Sequence, residues 1–306
     1  MGKTAFMFPG QGAQYIGMGK EFYDVFPMCR EIFEKAGKAA GLDVVSLCFE
    51  ENEQIHITEY TQIAMVTVEV AILKTLEEKG IKADVAAGLS LGEYGALVAS
   101  GALAMEDAFA LVRKRGIYMQ EAVPEGGAMT AVLGLDTDTI EKICEDTEGI
   151  VSVANYNCPG QTVITGEAAA VLAAAEKCGQ AGAKRCIPLK VSGPFHSPML
   201  AGAGEKLGKE LEHVEIHPIS IPYIANVTAD YVTDAKDVKP LLKKQVSSSV
   251  KWQQTIERMI ADGVDTFIEI GPGKTLSGFM RKINREVRVY NVEKPADLER
   301  VLEECL

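Results

Sequence analysis

The sequence has few of the features that mark membrane, secreted or metal-binding proteins. None of its apolar runs approaches the roughly 18 residues that a membrane-spanning helix needs. The N-terminus has no charged-then-apolar signal region. The seven cysteines are an odd number without a CxxC pair, which favours reduced thiols over a disulfide framework or a zinc site. We therefore expect a soluble cytoplasmic protein that binds no membrane and no metal.

Positive charge is also in short supply. The chain has 31 Lys and Arg against 43 Asp and Glu, a net charge of −12. Nonspecific nucleic-acid binding depends on lysine and arginine displacing phosphate counterions. The composition therefore argues against a nucleic-acid partner.

Apolar segments typical of strands and helices alternate along most of the chain. Buried strands are indicated at 4–8, 85–87, 221–227, 266–270 and 287–292, and helices at 18–36, 62–79, 91–100 and 105–121. Alternating buried strands and helices predict a mostly parallel sheet covered on both faces.

The middle of the chain follows a different order. Segments 128–133, 137–147, 151–157, 162–165, 167–181 and 183–189 read as strand, helix, strand, strand, helix, strand. This βαββαβ order is that of the split-βαβ, ferredoxin-like unit. We interpret 126–193 as a small subdomain inserted into a larger α/β subdomain formed by 1–125 and 194–306.

The segment GLSLG at 88–92 fits the GxSxG nucleophile elbow of α/β-hydrolase-like folds. Such a turn presents a serine at the top of the sheet, with backbone N–H groups at the following helix start available to an oxyanion. With 29 glycines in the chain, a chance match is the alternative. The strand–turn–helix context favours Ser90 as a nucleophile.

A nucleophilic serine needs a base, and the chain has only four histidines. His56, His213 and His217 stand in settings typical of surface residues. His196 lies in an irregular loop, VSGPFHSP, where functional side chains are often found. Most loop histidines make only structural hydrogen bonds, so pairing with Ser90 would decide its role as a base.

Five separated motifs resemble those of the malonyl-CoA:acyl-carrier-protein transacylase family, which is related to polyketide-synthase acyltransferase domains. The resemblance covers nearly the full length. The motifs are FPGQGAQ at 8–14, GLSLGEY at 88–94, VRKRG at 112–116 with MQ at 119–120, GPFHS at 193–197 and EIGPG at 269–273.

The resemblance implies ping-pong acyl transfer in fatty-acid synthesis, without a cofactor. Ser90 would take the malonyl group from malonyl-CoA, and the phosphopantetheine thiol of acyl carrier protein would then accept it. His196 would move the proton in both steps. The backbone N–H groups of Gln11 and Leu91 would stabilise the oxyanion.

The same resemblance assigns further residues to the substrate and to the base. Arg115 would hold the malonyl carboxylate, since a guanidinium binds a carboxylate bidentately. From the sequence alone, a solvated helix arginine is the alternative. Gln245 occupies the position at which an amide or backbone carbonyl orients the histidine.

Other positions concern the cleft wall. Asn155 and Asn157 would face the cleft, unless they simply form a turn. Related acyltransferase domains with a bulky Phe before the histidine tend to take malonyl, so the resemblance implies that Phe195 favours malonyl over methylmalonyl. The chain departs from the family at Leu89, where histidine is usual, and at Ala13, where serine is frequent.

Carrier docking is expected to need a local basic patch, because acyl carrier proteins are acidic and the chain is too. Arg281 and Lys282 are candidates, against the alternative of a solvated helix face. The chain is expected to act as a monomer. Two other functions stay open: a trans-acting malonyl acyltransferase of a polyketide pathway, and a serine esterase.

Overall fold

The computed structural model describes residues 2–191 and 193–305 as a mixed α/β protein. The strands are β1 (Lys3–Phe8), β2 (Val85–Gly88), β3 (Gly127–Leu133), β4 (Val151–Cys158), β5 (Gln161–Glu167), β6 (Arg185–Pro188), β7 (Tyr223–Ile224), β8 (Tyr231–Val232), β9 (Val264–Ile270) and β10 (Arg288–Val292).

The helices of the same residues alternate with these strands over most of the chain. They are α1 (Lys20–Val25), α2 (Pro27–Ala40), α3 (Val44–Phe49), α4 (Thr58–Glu78), α5 (Glu93–Ala99), α6 (Met105–Ala122), α7 (Thr137–Glu145), α8 (Ala168–Gln180), α9 (Ala201–Glu212), α10 (Val238–Gln245), α11 (Trp252–Ala261), α12 (Thr275–Ile283) and α13 (Pro295–Cys305). None of them is both long and apolar enough to cross a membrane, within the part of the chain described.

A six-stranded sheet, in the order β10-β9-β1-β2-β7-β8, forms the centre of the molecule. Its strands pair in parallel except for the antiparallel β7–β8 pair. In β1, Phe6 and Phe8 pack with the helices of one face, whereas Ala5 and Met7 belong to the core of the other face. The central strand is therefore apolar on both sides, as expected for a parallel sheet covered twice.

Helices cover both faces of this sheet. On the face of Phe6 and Phe8, α4 is buried along almost its whole length and packs against α2 and α6. On the opposite face, α11 and α12 supply Trp252, Ile256 and Met280 to the second core. The site-bearing loops at the carboxyl ends of β1 and β2 thus rest on a rigid core.

A second, four-stranded sheet has the order β4-β5-β3-β6, and its pairs are antiparallel. Helices α7 and α8 close a separate core against it. Two backbone hydrogen bonds connect this sheet to the segment before α11: Tyr156 N to Val250 O, 2.9 Å, and Val250 N to Ala154 O, 2.8 Å. This pairing holds the end of β4 beside the large sheet.

Several element boundaries differ from the sequence expectation. The helix predicted at 18–36 is two helices, because Phe26 before Pro27 is extended and Pro27 opens α2. The strand predicted at 221–227 is reduced to Tyr223–Ile224. The helix predicted to start at 62 begins one turn earlier, at Thr58.

Candidate active site

Ser90 occupies a strained turn directly after β2. Its φ is +53°, the left-handed region that non-glycine residues rarely adopt. The glycines on either side permit the turn, since a Cβ on Gly88 would lie 1.9 Å from the carbonyl carbon of Gly92. A Cβ on Gly92 would lie 2.1 Å from the carbonyl oxygen of Phe8. Only glycine fits at both positions. The turn holds Ser90 at the carboxyl end of β2, an inner strand of the sheet.

His196 lies against this serine, with its Nε2 2.7 Å from Ser90 Oγ. It too has a left-handed backbone, with φ +62°. Its Nδ1 is 3.0 Å from the backbone carbonyl of Gln245 and 3.1 Å from that of Ser248. Carbonyls only accept hydrogen bonds, so Nδ1 carries the hydrogen and Nε2 is free to accept the serine proton.

Burial keeps this histidine neutral. Two effects lower the pKa of His196 to about 4: desolvation, which is the larger, and repulsion from the charge of Arg115. The two carbonyls at Nδ1 oppose the shift but do not reverse it. At neutral pH the ring is therefore in the form that accepts a proton.

We expect the rate of serine acylation, measured as kcat/KM, to be nearly constant from about pH 8 down to about pH 5. Protonation of His196, whose pKa is about 4, removes the base, so the rate falls only below that range. Acylation assays quenched at fixed times, from about pH 8 to below about pH 5, measure how kcat/KM depends on pH. Hydrolysis of the thioester without enzyme is the control. A midpoint at the ordinary histidine pKa of about 6.5 would contradict the expectation.

Arg115 of α6 is almost completely buried and reaches the same serine. Its Nη2 donates to Ser90 Oγ at 3.2 Å and to Gln245 Oε1 at 3.0 Å. Its Nη1 donates to Gln62 Oε1 at 2.9 Å, and its Nε has no partner among the described residues. Each hydrogen-bond acceptor of this cation is neutral, so the site can still accept an anionic group beside the nucleophile.

Gln11 and Leu91 lie on two loops that meet beside Ser90. Gln11 follows β1, and its side chain donates to Thr58 Oγ1 at 3.0 Å. Leu91 is buried in the short 3₁₀ turn Ser90–Gly92. A Cβ on Gly10 would lie 2.7 Å from the carbonyl oxygen of Leu89, so the two loops are in close approach. Both residues line the same cleft as Ser90.

The cleft has a volume of about 230 Å³ and runs between the two sheets. Asn155 and Asn157 of β4 are buried in its wall, together with Phe195. Much of the remaining wall is apolar and comes from both sheets and their helices: Met119, Met129, Val163, Leu189, Val191 and Phe279. The arrangement suits a slender acyl chain with a polar end at Arg115.

Leu89 forms part of the same wall. It is half-buried, packs against the second core, and its Cδ2 faces Gly10. At this position the side chain contributes apolar contact and no hydrogen bond to Ser90.

Other sequence candidates lie elsewhere. Arg281 and Lys282 are exposed on the last turn of α12 and are outside the cleft lining. Lys282 Nζ donates to Gln161 Oε1 at 3.2 Å. Among the described residues, no cluster of three or more His, Cys, Asp or Glu could hold a metal ion. His56 and His213 are exposed and His217 is half-exposed.

Four site residues were not anticipated from the sequence. Asn226 accepts from Ser90 N at 2.6 Å, Gln62 accepts from Arg115, Ser248 accepts from His196, and Glu93 accepts from Gln245 Nε2 at 2.7 Å. A polar residue within the apolar α4 run was the only signal for Gln62. Glu93 lay inside the elbow motif, but its contacts come from segments more than a hundred residues away.

Both the sequence and the fold of this chain match those of known acyl transferases. A family model described as acyl transferase domain matches residues 5–296. The malonyl CoA-acyl carrier protein transacylase of Bacillus subtilis (strain 168) is 47% identical over 304 residues, 98% of this chain and 96% of that protein.

Solved structures with a similar fold are also those of malonyl transacylases. The malonyl CoA-acyl carrier protein transacylase of Clostridium perfringens has a TM-score of 0.95 at 47% identity, covering 99% of this chain and 96% of that one. A malonyl-transacylase solved in complex with its type II PKS acyl-carrier protein has a TM-score of 0.96 at 39% identity, covering 99% of both chains. The chain therefore belongs to the acyl transferase family, among the malonyl CoA-acyl carrier protein transacylases.

Proposed function

We propose that this chain transfers a malonyl group from malonyl-CoA to the phosphopantetheine thiol of acyl carrier protein, in fatty-acid synthesis, through a malonyl ester of Ser90. The observation that carries the proposal is a buried arginine with only neutral hydrogen-bond acceptors, 3.2 Å from the serine oxygen. Burying an arginine costs free energy unless an opposite charge pairs with its guanidinium. The malonyl carboxylate supplies the opposite charge, whereas an ordinary ester or acetyl thioester does not.

In the first half-reaction, Ser90 Oγ attacks the thioester carbon and its proton passes to His196 Nε2, 2.7 Å away. The carbonyl oxygen becomes an oxyanion, for which we propose the backbone N–H groups of Gln11 and Leu91 as donors. The C–S bond then breaks, and the coenzyme A thiolate leaves with the proton from His196. The product is the malonyl-Ser90 ester.

The second half-reaction reverses these steps with a different thiol. The carrier thiol gives its proton to His196 and attacks the ester carbon, and Ser90 leaves with that proton. The backbone carbonyls of Gln245 and Ser248 accept from Nδ1 in both the neutral and the protonated ring, so they hold the imidazole in one orientation throughout. In the described part of the chain, His196 bonds to carbonyls and to no carboxylate. This suits a thioester, because its leaving group departs more readily than an amide nitrogen.

The cleft walls are proposed to select the acyl group. Phe195 is buried beside His196 and would oppose an additional methyl on the malonyl carbon, a discrimination of about 1–3 kcal/mol. Asn155 and Asn157 offer amide groups from β4 to the substrate. A serine esterase is the less favoured alternative, since it would have no use for Arg115 at this position.

The finer architecture is also proposed. The order β4-β5-β3-β6 supports a ferredoxin-like subdomain over 126–193, and the parallel sheet with its elbow supports an α/β-hydrolase-like subdomain over 1–125 and 194–306. We propose a monomer, because one chain supplies every residue of the site. All seven cysteines are free, in keeping with a cytoplasmic location.

Intact-mass measurement after mixing the enzyme with malonyl-CoA, acetyl-CoA or methylmalonyl-CoA tests the proposal. We expect a stable malonyl adduct that disappears when holo-carrier protein is added, with little methylmalonyl adduct. Rapid hydrolysis to free malonate without a carrier would favour the esterase. Comparing fatty-acid and polyketide carrier proteins as acceptors separates the two pathways.

Arg281 and Lys282 are proposed to contact the acidic carrier. We expect Arg281→Glu and Lys282→Glu, singly and together, to raise KM for carrier protein by about tenfold and to leave KM for malonyl-CoA unchanged. Lys38→Glu, at an exposed position of α2 outside the cleft lining, is the charge-reversal control. Equal increases in both constants would refute docking at this patch.

A further inference from the structure

Glu93 is a fully buried carboxyl whose partners all belong to the candidate site. It opens α5, three residues after Ser90. Its Oε2 accepts from Gln245 Nε2 at 2.7 Å and from Asn226 N at 3.2 Å. Its Oε1 has no hydrogen-bond partner among the described residues. One carboxyl oxygen therefore bonds to site residues, and the other is buried without a partner among the described residues.

The two residues that donate to Glu93 hold the reacting groups. Asn226 accepts from Ser90 N at 2.6 Å and donates to Gly88 O at 2.6 Å, which ties down the strained turn. Gln245 donates to Ser90 O at 2.8 Å, and its Oε1 accepts from Arg115 Nη2 at 3.0 Å. Its backbone carbonyl faces His196 Nδ1.

An amide side chain can point in two directions, and Glu93, together with the carbonyl oxygen of Ser90, distinguishes them. With Nε2 toward Glu93, the Gln245 carbonyl oxygen faces the guanidinium of Arg115. The opposite orientation would set two oxygens against each other at Glu93 and two donors against each other at Arg115. Each of these pairs leaves buried polar atoms unsatisfied.

We propose that Glu93 is a positioning residue that fixes the Gln245 amide, and through it the Arg115 guanidinium, in the orientation that receives the malonyl carboxylate. This inference rests on the proposed function. It assigns malonyl selectivity to a residue that does not touch the substrate.

The positioning does not depend on the charge of Glu93. Burial raises the pKa of Glu93 to about 7, against the hydrogen bonds from Gln245 and Asn226 and the charge of Arg115. A proton taken up on this carboxyl goes to Oε1, because Oε2 already faces two N–H donors. Oε2 accepts hydrogen bonds in both states.

The test is the ratio of malonyl to acetyl adduct formation, measured by initial-rate mass spectrometry on one preparation of each variant. The ratio is independent of the folded fraction. We expect Glu93→Met, which keeps the volume but removes the acceptor, to lower the ratio by about tenfold or more. Glu93→Ala tests the same point if the methionine variant is insoluble. Glu93→Gln, which keeps an acceptor oxygen, is expected to retain the ratio within about threefold.

Two comparisons separate positioning from general damage. Glu69 of α4 is also fully buried, and neither carboxyl oxygen has a partner among the described residues. Glu69→Met is therefore the matched control and should leave the ratio unchanged. In a Gln245→Ala background, Glu93→Met should have no additional effect on the ratio, because the amide it orients is gone.

A wild-type ratio of malonyl to acetyl adduct in Glu93→Met or Glu93→Ala would overturn the inference. It would also be overturned if Glu93→Met lowered the ratio equally in the wild-type and the Gln245→Ala backgrounds. Failure of the proposed function would appear instead in the unmodified enzyme, as the absence of a malonyl adduct. The two failures are therefore distinguishable.

Discussion

Replacing Ser90 with alanine is expected to abolish the malonyl adduct and to lower transfer to the carrier by about 10⁴- to 10⁶-fold. Alanine keeps the Cβ of serine, so it imposes the same backbone cost at φ +53° and removes only the hydroxyl. The hydroxyl is the atom that accepts from Arg115 and donates to His196. Intact mass and a carrier-loading assay measure the two effects.

Ser248→Ala is the matched control for this variant. Ser248 also lies against His196, but it contributes its backbone carbonyl, which the substitution retains. The control should form the malonyl adduct at close to the normal rate. A full adduct in Ser90→Ala would remove the serine from the proposed mechanism.

Arg115→Ala is expected to lower kcat/KM for malonyl-CoA by about 10²- to 10³-fold, the range for truncating one partner of a buried charge pair. Acetyl-CoA has no carboxylate, so the rate at which it acylates Ser90 should change far less. The variant retains Ser90, His196 and the carbonyls that accept from His196 Nδ1. Parallel acylation kinetics with the two thioesters measure the difference.

Arg115→Lys should restore little of this loss, because an ammonium lacks the two-pronged geometry that matches a carboxylate and would not reach both Gln62 and Gln245. Arg113→Ala is the control on the same helix. Arg113 is paired with Glu59 at 2.8 Å and lies over the Tyr60 ring, outside the cleft lining. Equal losses for malonyl and acetyl thioesters in Arg115→Ala would exclude a carboxylate-binding role.

The strand–helix alternation and the elbow were predictable because both are local. A parallel strand buried on two faces needs an apolar run such as that at 4–8. The sharp turn directly after β2 needs glycine at 88 and 92. The apolar pattern missed the break at Pro27, although its cause, the proline itself, is local. The short β7 was harder to predict, because its limits depend on its pairing with β2.

Arg115 illustrates a different limit of prediction from sequence, which concerns burial. Within its own helix, Arg115 looks like one of three consecutive basic residues on a solvated surface. Its burial follows from the packing of α6 against α4, which contributes Gln62. The role suggested for it came from resemblance, since no local pattern distinguishes a buried arginine from an exposed one.

The sequence by itself determined the family, the alternating α/β order and the serine turn, and it offered Ser90, His196 and Arg115 as candidate site residues. Only the tertiary structure decided that Ser90, Arg115 and His196 line one cleft with Gln245 hydrogen-bonded to them, and that Glu93 and Asn226 bind these residues into a single network. The physical reason is that turn and strand preferences act over a few residues. A hydrogen bond between positions more than a hundred residues apart exists only after the sheet has placed their loops side by side.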